Sequence, residues 1–233
     1  MCYCRCIDGY SRRIQWLKCS HSNHQPGVIA GYFLECVTNV GGYPHRLRTD
    51  CGTENTLIAA IQAFVAGTCG AHTYGTSPGN QRIEAWWSFY RRLHSQYWID
   101  LFEILVHSGS FQPGNVRQTD CLRFCFMTLL QQDLDSVRRH WNTHRIRPSA
   151  VAVCPPGVPD ELYFLPDTPA VDRLMTNAQP LSDDILQLIE MPRTCEDADF
   201  EAYLQYLCDF HHWEHPRDAE SATVLYRRLL PLI

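Results

Sequence analysis

Two carboxylates in the first half of the chain have the types and the spacing that metal-assisted chemistry uses. Asp50 closes an extended segment, residues 45–50, and Glu84 stands 34 positions further on, in the first turn of a helix expected to begin near Gln81. Phosphoryl transfer assisted by metals draws acidic side chains from separate elements onto two divalent cations about 3.5–4 Å apart. Mg²⁺ suits such a site because a few carboxylates hold it and water or phosphate oxygens complete its shell. The same two residue types at this interval also suit a solvated surface, and spacing alone leaves both readings open.

The words around the two acids are more specific. Thr49-Asp50-Cys51-Gly52-Thr53-Glu54-Asn55 resembles the second-aspartate motif of retroviral and retrotransposon integrases. Tyr74-Gly75-Thr76-Ser77-Pro78-Gly79-Asn80-Gln81-Arg82-Ile83-Glu84 is similar to their flexible loop and glutamate-bearing helix. The likeness extends upstream to Ile7-Asp8-Gly9-Tyr10-Ser11-Arg12-Arg13-Ile14 and downstream to Trp141-Asn142-Thr143-His144-Arg145-Ile146-Arg147-Pro148-Ser149. It covers about the first 150 residues and is greatest to integrase-core proteins related to transposable elements.

The resemblance implies an α/β, ribonuclease H-like integrase core, a mixed sheet flanked by helices, and polynucleotidyl transfer by an Asp, Asp, Glu set. Asp50 and Glu84 match the second and third members, as catalytic residues and as ligands of Mg²⁺ or Mn²⁺. The family carries its first Asp on a strand preceding residues 4–7, and the sequence in hand does not contain that strand. The expectation is therefore a core that is N-terminally truncated, lacks its first strand and is catalytically silent. The alternative is a domesticated, non-catalytic DNA-binding or protein-interaction scaffold derived from a transposable element. Asp8 sits at a hairpin turn, where its expected role is a side-chain hydrogen bond to turn backbone.

The elements that must position these residues are legible in part. Residues 4–7 and 14–18 are β-prone and flank turn chemistry, so they read as an antiparallel hairpin. Asn23 is the expected cap of a helix with Pro26 in its first turn, running to about Asn39, with Val28, Ile29, Phe33, Cys36, Val37 and Val40 inward. Residues 45–49 read as a central strand delivering Asp50 at its end, where folds of this class place ligand chemistry. The helix from Thr56 to Ala66 is apolar nearly all round, which predicts burial on most sides. A short strand is expected at 69–73.

The helix over 81–107 should be the longest, with Ile83, Trp86, Tyr90, Leu93, Tyr97, Leu101, Ile104 and Leu105 as its core stripe. A second helix, about 119–144, should bury Leu122, Phe126, Leu129, Leu130, Leu134, Val137 and Trp141. Arg82, Arg91 and Arg92, and Arg138, Arg139, Arg145 and Arg147 at the end of the second helix, are the expected phosphate contacts. The last group equally suits a helix C-terminus loaded with cations.

The net charge of −5 hides a division: residues 1–150 carry +5 and residues 151–233 carry −10. A basic half that can meet phosphates is followed by an acidic one that repels them. Three parts are expected: a core over 1–149, a Pro-rich linker or wrapping arm over 150–180, and an acidic, mainly helical extension over 181–233 with helices near 182–189 and 197–211.

The twelve cysteines are scattered rather than framing a small scaffold, and they read as reduced thiols of a nuclear or otherwise intracellular protein. Cys2, Cys4 and Cys6 alternate as one strand face would. His21 with His24, and Cys208 with His211, His212 and His215, fit no established metal spacing and read as polar loop and helix end. No apolar run reaches 18 residues, so no membrane is expected; the partners that the resemblance implies are DNA and, as an option, a second copy in a homodimer.

Overall fold

A computed structural model of the chain describes residues 2–75, 86, 90, 91, 95–148, 154–165, 174, 175 and 180–233. Strands β1 (Cys2–Ile7) and β2 (Ile14–Ser20) form the antiparallel hairpin, in register from Cys2 opposite Ser20 to Ile7 opposite Ile14, with a bulge between Cys6 and Ile7. Asp8 closes its turn. One carboxylate oxygen accepts from the Tyr10 and Ser11 N–H groups and from the Ser11 hydroxyl, the last two at 2.7 Å. That is the role its turn chemistry predicted.

Side chains alternate along a strand, and β2 uses the alternation to separate two cores. Trp16 points into a cluster built from α1 (Pro26–Val40), α2 (Thr56–Ala66) and Leu47, which Cys4 and Cys6 of β1 border. Leu17 and Cys19 point into the other, built on α4 (Val116–Thr143) and the C-terminal helices. Helices thus cover both faces of the hairpin, the α/β layering that the resemblance implied.

Helix α1 starts after Gln25 rather than Asn23, with Pro26 at its first position and Gly41 in the left-handed conformation at its end. Pro pre-sets the helical φ and needs no N–H partner there, so no side-chain cap is required. The strand before Asp50 is shorter than expected. Strand β4 (Leu47–Thr49) pairs in parallel with β5 (His72–Tyr74), while β3 (Tyr43–Pro44) pairs with β6 (Leu174–Met175). Among the described residues no ladder joins β4 to β1. Helix α2 buries Ile58, Ile61, Gln62 and Val65 but leaves Phe64 exposed, so it is covered on one face and not on most sides.

Trp86 and Tyr90 are helical and buried, and a π turn at Arg91 and Ser95 precedes α3 (Gln96–His107). A π turn inserts one residue into the helical repeat. The apolar stripe therefore advances by one position: Trp98 is buried, and Leu105 is buried as expected, while Tyr97 and Ile104, assigned to the core by simple periodicity, are each 59% exposed. Ile83 and Leu93 lie outside the described residues. Helix α4, at 28 residues, is the longest described. It begins three residues earlier than the sequence pattern indicated, because the Asn115 side chain caps it by accepting from the Gln118 N–H.

Helix α4 also finishes the outer edge of β2. Asn142 accepts from the Ile14 N–H at 2.8 Å and donates to the Ile14 carbonyl at 3.0 Å. Gln131 does the same across Cys19 N–H and Leu17 C=O, at 3.0 and 3.1 Å. Two side-chain amides thereby occupy backbone groups that an exposed edge would offer to another strand.

The proline-rich stretch wraps back onto the core. Gly157 bridges to Ile146, and α5 (Pro159–Phe164) brings Asp160 to Arg13 at 2.7 Å. Beyond it lie α6 (Asp183–Gln187), α7 (Ala198–His211) and α8 (Ala219–Leu229), the last unanticipated. A capping box between Asp218 and Ser221 starts α8. Its Leu225, Tyr226 and Leu229 enter the same core as α4. Buried Asp120 joins the parts: it pairs with Arg123 at 2.8 Å and accepts from the Glu196 and Asp197 N–H groups. No described helix is long and apolar enough to cross a membrane.

Candidate metal and nucleic-acid site

Because β4 and β5 run parallel, their C-terminal ends emerge at one edge. Asp50 follows β4 there, exposed, with one oxygen accepting from the Asn55 side-chain amide at 2.6 Å. The chain leaves β5 at the same edge, where the Gly75 N–H donates to the Thr49 carbonyl at 2.7 Å. Gly75 is buried, and a Cβ at that position would collide with the Arg48 guanidinium. A cation thus lies over the start of the segment that leads to Glu84. Arg48 was not among the residues picked out from the sequence, although its place two positions before Asp50 on a strand puts both on one face.

His72 stands beside this edge, its Nε2 3.1 Å from the Thr49 hydroxyl. That hydroxyl donates to the Asp50 carbonyl at 3.0 Å, so Nε2–H is the donor to the hydroxyl oxygen. Burial lowers the His72 pKa from its ordinary value.

Glu84, Arg82 and Arg92 lie outside the described residues. Trp86, two positions after Glu84 in sequence, stacks on Tyr90 with centroids 5.5 Å apart and meets Trp141 of α4 edge-on at 6.2 Å. Helical structure after Glu84 is therefore docked against the end of α4 that carries the arginines. Of these, Arg138 is engaged in holding the fold: it donates to the Gln15 carbonyl at 3.2 Å and lies 3.6 Å from Asp135. Arg91, Arg139, Arg145 and Arg147 are exposed and form no ion pair with any described residue. Arg12 and Arg13, at the hairpin turn, are likewise occupied, by the Pro155 carbonyl and by Asp160.

Asp50 is a hard oxygen donor in solvent with its second oxygen free of hydrogen bonds to described residues, which suits a hydrated Mg²⁺ or Mn²⁺. Among the described residues no three ligating side chains converge on a metal-sized space. His21 and His24 line one cleft, but neither histidine group gathers a metal-sized set of ligands among the described residues. His21 is buried, contrary to the exposed loop expected, and its Nδ1 lies 3.1 Å from the Arg193 carbonyl. Cys208 points into the core while His211 stacks on Trp213 outside it.

The parallel β4–β5 edge ending in a carboxylate, beside a separate hairpin covered by helices, is the arrangement of an α/β protein that places ligand chemistry at strand C-termini. Residues 1–157 match the integrase core domain, and the chain belongs to that family. The family is one of DNA integration and transposition, and its fold is ribonuclease H-like. Neither a curated protein nor a solved structure gives a match to the chain.

Proposed function

We propose that residues 1–149 are a transposable-element-derived integrase core that binds DNA at the β4–β5 edge and along the basic end of α4. In this reading Asp50 and Glu84 are the ligands of Mg²⁺ or Mn²⁺, and a bound cation supplies charge neutralisation at a phosphate oxygen. Arg48, Arg139, Arg145 and Arg147 hold the phosphate backbone, and His72 keeps the strand end rigid through Thr49. The observation that carries the reading is the Gly75 N–H to Thr49 carbonyl bond, which starts the Glu84-bearing segment beside Asp50.

Asp50 and Glu84 match two members of the family's carboxylate set, and these 233 residues on their own are expected to bind DNA without cleaving it. A single-site cation cannot clamp both attacking and leaving oxygens. The cellular setting that fits such a protein is the nucleus. The test is an oligonucleotide nicking and strand-transfer assay with Mg²⁺ and Mn²⁺. The chain as it stands is expected to be inactive. Adding an N-terminal strand bearing an Asp should give activity that Asp50→Asn or Glu84→Gln removes. Cleavage by the unextended chain, lost in Asp8→Asn, would instead make Asp8 the third ligand and overturn the assignment.

A purely DNA-binding or scaffolding protein is the second reading. It is favoured by the four exposed arginines, whose arrangement requires no carboxylate. Binding to duplex DNA that persists unchanged in Asp50→Asn, with no activity in the extended chain, would select it.

A further inference from the structure

The C-terminal helices present a surface whose chemistry is opposite to that of the core. Helix α7 buries Phe200, Leu204, Leu207 and Cys208, which fixes its rotation about its own axis. Its outward face carries Tyr203, Tyr206 and Phe210, exposed by 42%, 59% and 65%. From Tyr206 onward the rings are in contact. Tyr206 stacks on Phe210 at 6.0 Å, Phe210 meets His211 at 5.0 Å, and His211 stacks on Trp213 at 4.4 Å. The ribbon ends at a cleft of about 480 Å³ lined by Trp213, Glu214, Glu220, Val224 and Arg228 among others. Between Arg193 and Arg217 the sequence has six acidic residues and no Lys or Arg.

An amphipathic helix ordinarily turns charged and polar groups to water. Three consecutive outward turns occupied by Tyr, Tyr and Phe leave a large contiguous apolar surface in solvent, the usual mark of an interface. Aromatic rings are also the residues that interfaces concentrate. The surrounding charge selects the occupant. Glu214 pairs with Arg217 at 3.0 Å and Arg228 lies over the Trp213 ring, while Glu196, Asp199 and Asp209 are exposed and in no ion pair with a described residue. A border of net negative charge repels nucleic acid and anionic lipid and attracts a cationic chain. Tyr and Phe faces add cation–π attraction for Lys and Arg that lie over them.

We propose that the α7 ribbon is a docking surface for a basic amphipathic segment of a partner protein. Apolar anchors of the segment lie along Tyr203, Tyr206 and Phe210, and its Lys and Arg side chains meet the acidic border. This proposal does not depend on the nucleic-acid reading of the core, because the two surfaces share no residue.

The probe is a fluorescein-labelled peptide of about 18 residues, with Leu and Trp at i, i+3, i+4 and i+7 on a Lys background, as helix-in-groove recognition requires. A shuffled peptide of identical composition without the apolar face is its control. Anisotropy against the full chain should give at least about tenfold tighter binding of the patterned peptide, with affinity falling as salt rises. Tyr206→Ser with Phe210→Ser should abolish that preference while far-ultraviolet circular dichroism and the melting temperature stay unchanged, since both side chains are outside the core. Equal affinity for the two peptides overturns the proposal, as does an unchanged preference in the double variant. Sedimentation showing a wild-type dimer that the double variant loses would assign the face to a second copy and equally overturn it.

Discussion

Replacing Asn142 by Leu isolates the bond pair that completes the β2 edge. The Asn142 side chain is 5% exposed and both its polar atoms are committed to Ile14, at 2.8 and 3.0 Å. Leu has nearly the same shape and no polar atoms, so the substitution leaves one N–H and one C=O without partners in a dry site. Each buried group left unsatisfied costs about 1–3 kcal/mol, so the pair costs about 2–5 kcal/mol after modest compensation from the added apolar contact. For a chain of this size each kcal/mol moves the melting temperature by about 2–4 °C. The expected loss is therefore on the order of 4–20 °C, measured by calorimetry and by urea unfolding at constant m-value. Native-state hydrogen exchange should show the Ile14 amide losing protection specifically. Gln132→Leu, exposed on the same helix, should change stability by less than about 0.5 kcal/mol. A loss below about 0.5 kcal/mol in Asn142→Leu, or an Ile14 amide that stays protected, would refute the edge-pairing argument.

Other expectations follow from the same geometry. Arg139→Gln, Arg145→Gln and Arg147→Gln together should lower the slope of log affinity against log salt for duplex DNA by about 2–3, measured by anisotropy, and an unchanged slope would remove these residues from the DNA surface. The acidic helices pack near Asp120, 18 residues of α4 from Arg138, or about 27 Å along the helix and well beyond a Debye length of about 8 Å. Neutralising Asp199 and Asp209 should accordingly leave DNA affinity within about twofold, and a larger gain would mean that the extension reaches the DNA surface. His212 closes α7 at φ +54°, a conformation that favours glycine, so His212→Gly should raise stability by about 0.5–1 kcal/mol in urea titration. Burial pushes the Cys19 thiol up to about 12 and those of Cys36 and Cys208 up to about 11, from 9.0 unfolded. Between pH 9 and 12 the unfolded chain then binds fewer protons than the native one, so stability complete below pH 9 should fall as pH rises through that window. A urea midpoint that holds or rises there would contradict it.

The sequence by itself determined what is written in local patterns. The hairpin follows from two β-prone runs around turn chemistry, and Asp8 accepts the backbone bonds its position called for. The span of α1 and the buried stripe of α4 follow from apolar spacing, and the family follows from short motifs whose residue order survives without any contact being known. Tertiary structure decided what depends on distant partners. The π turn at Arg91 and Ser95, invisible to a 3.6-residue period, rotated Trp98 inward and Tyr97 outward. Arg138 has the same local signal as Arg139, yet only Arg138 meets the Gln15 carbonyl, 123 residues away. Arg48 gained its place at the site because parallel pairing brought Gly75 beneath it. The physical reason is common to all three. Periodicity records which face of an element is apolar, whereas the partner of a polar group is set by which elements pack together.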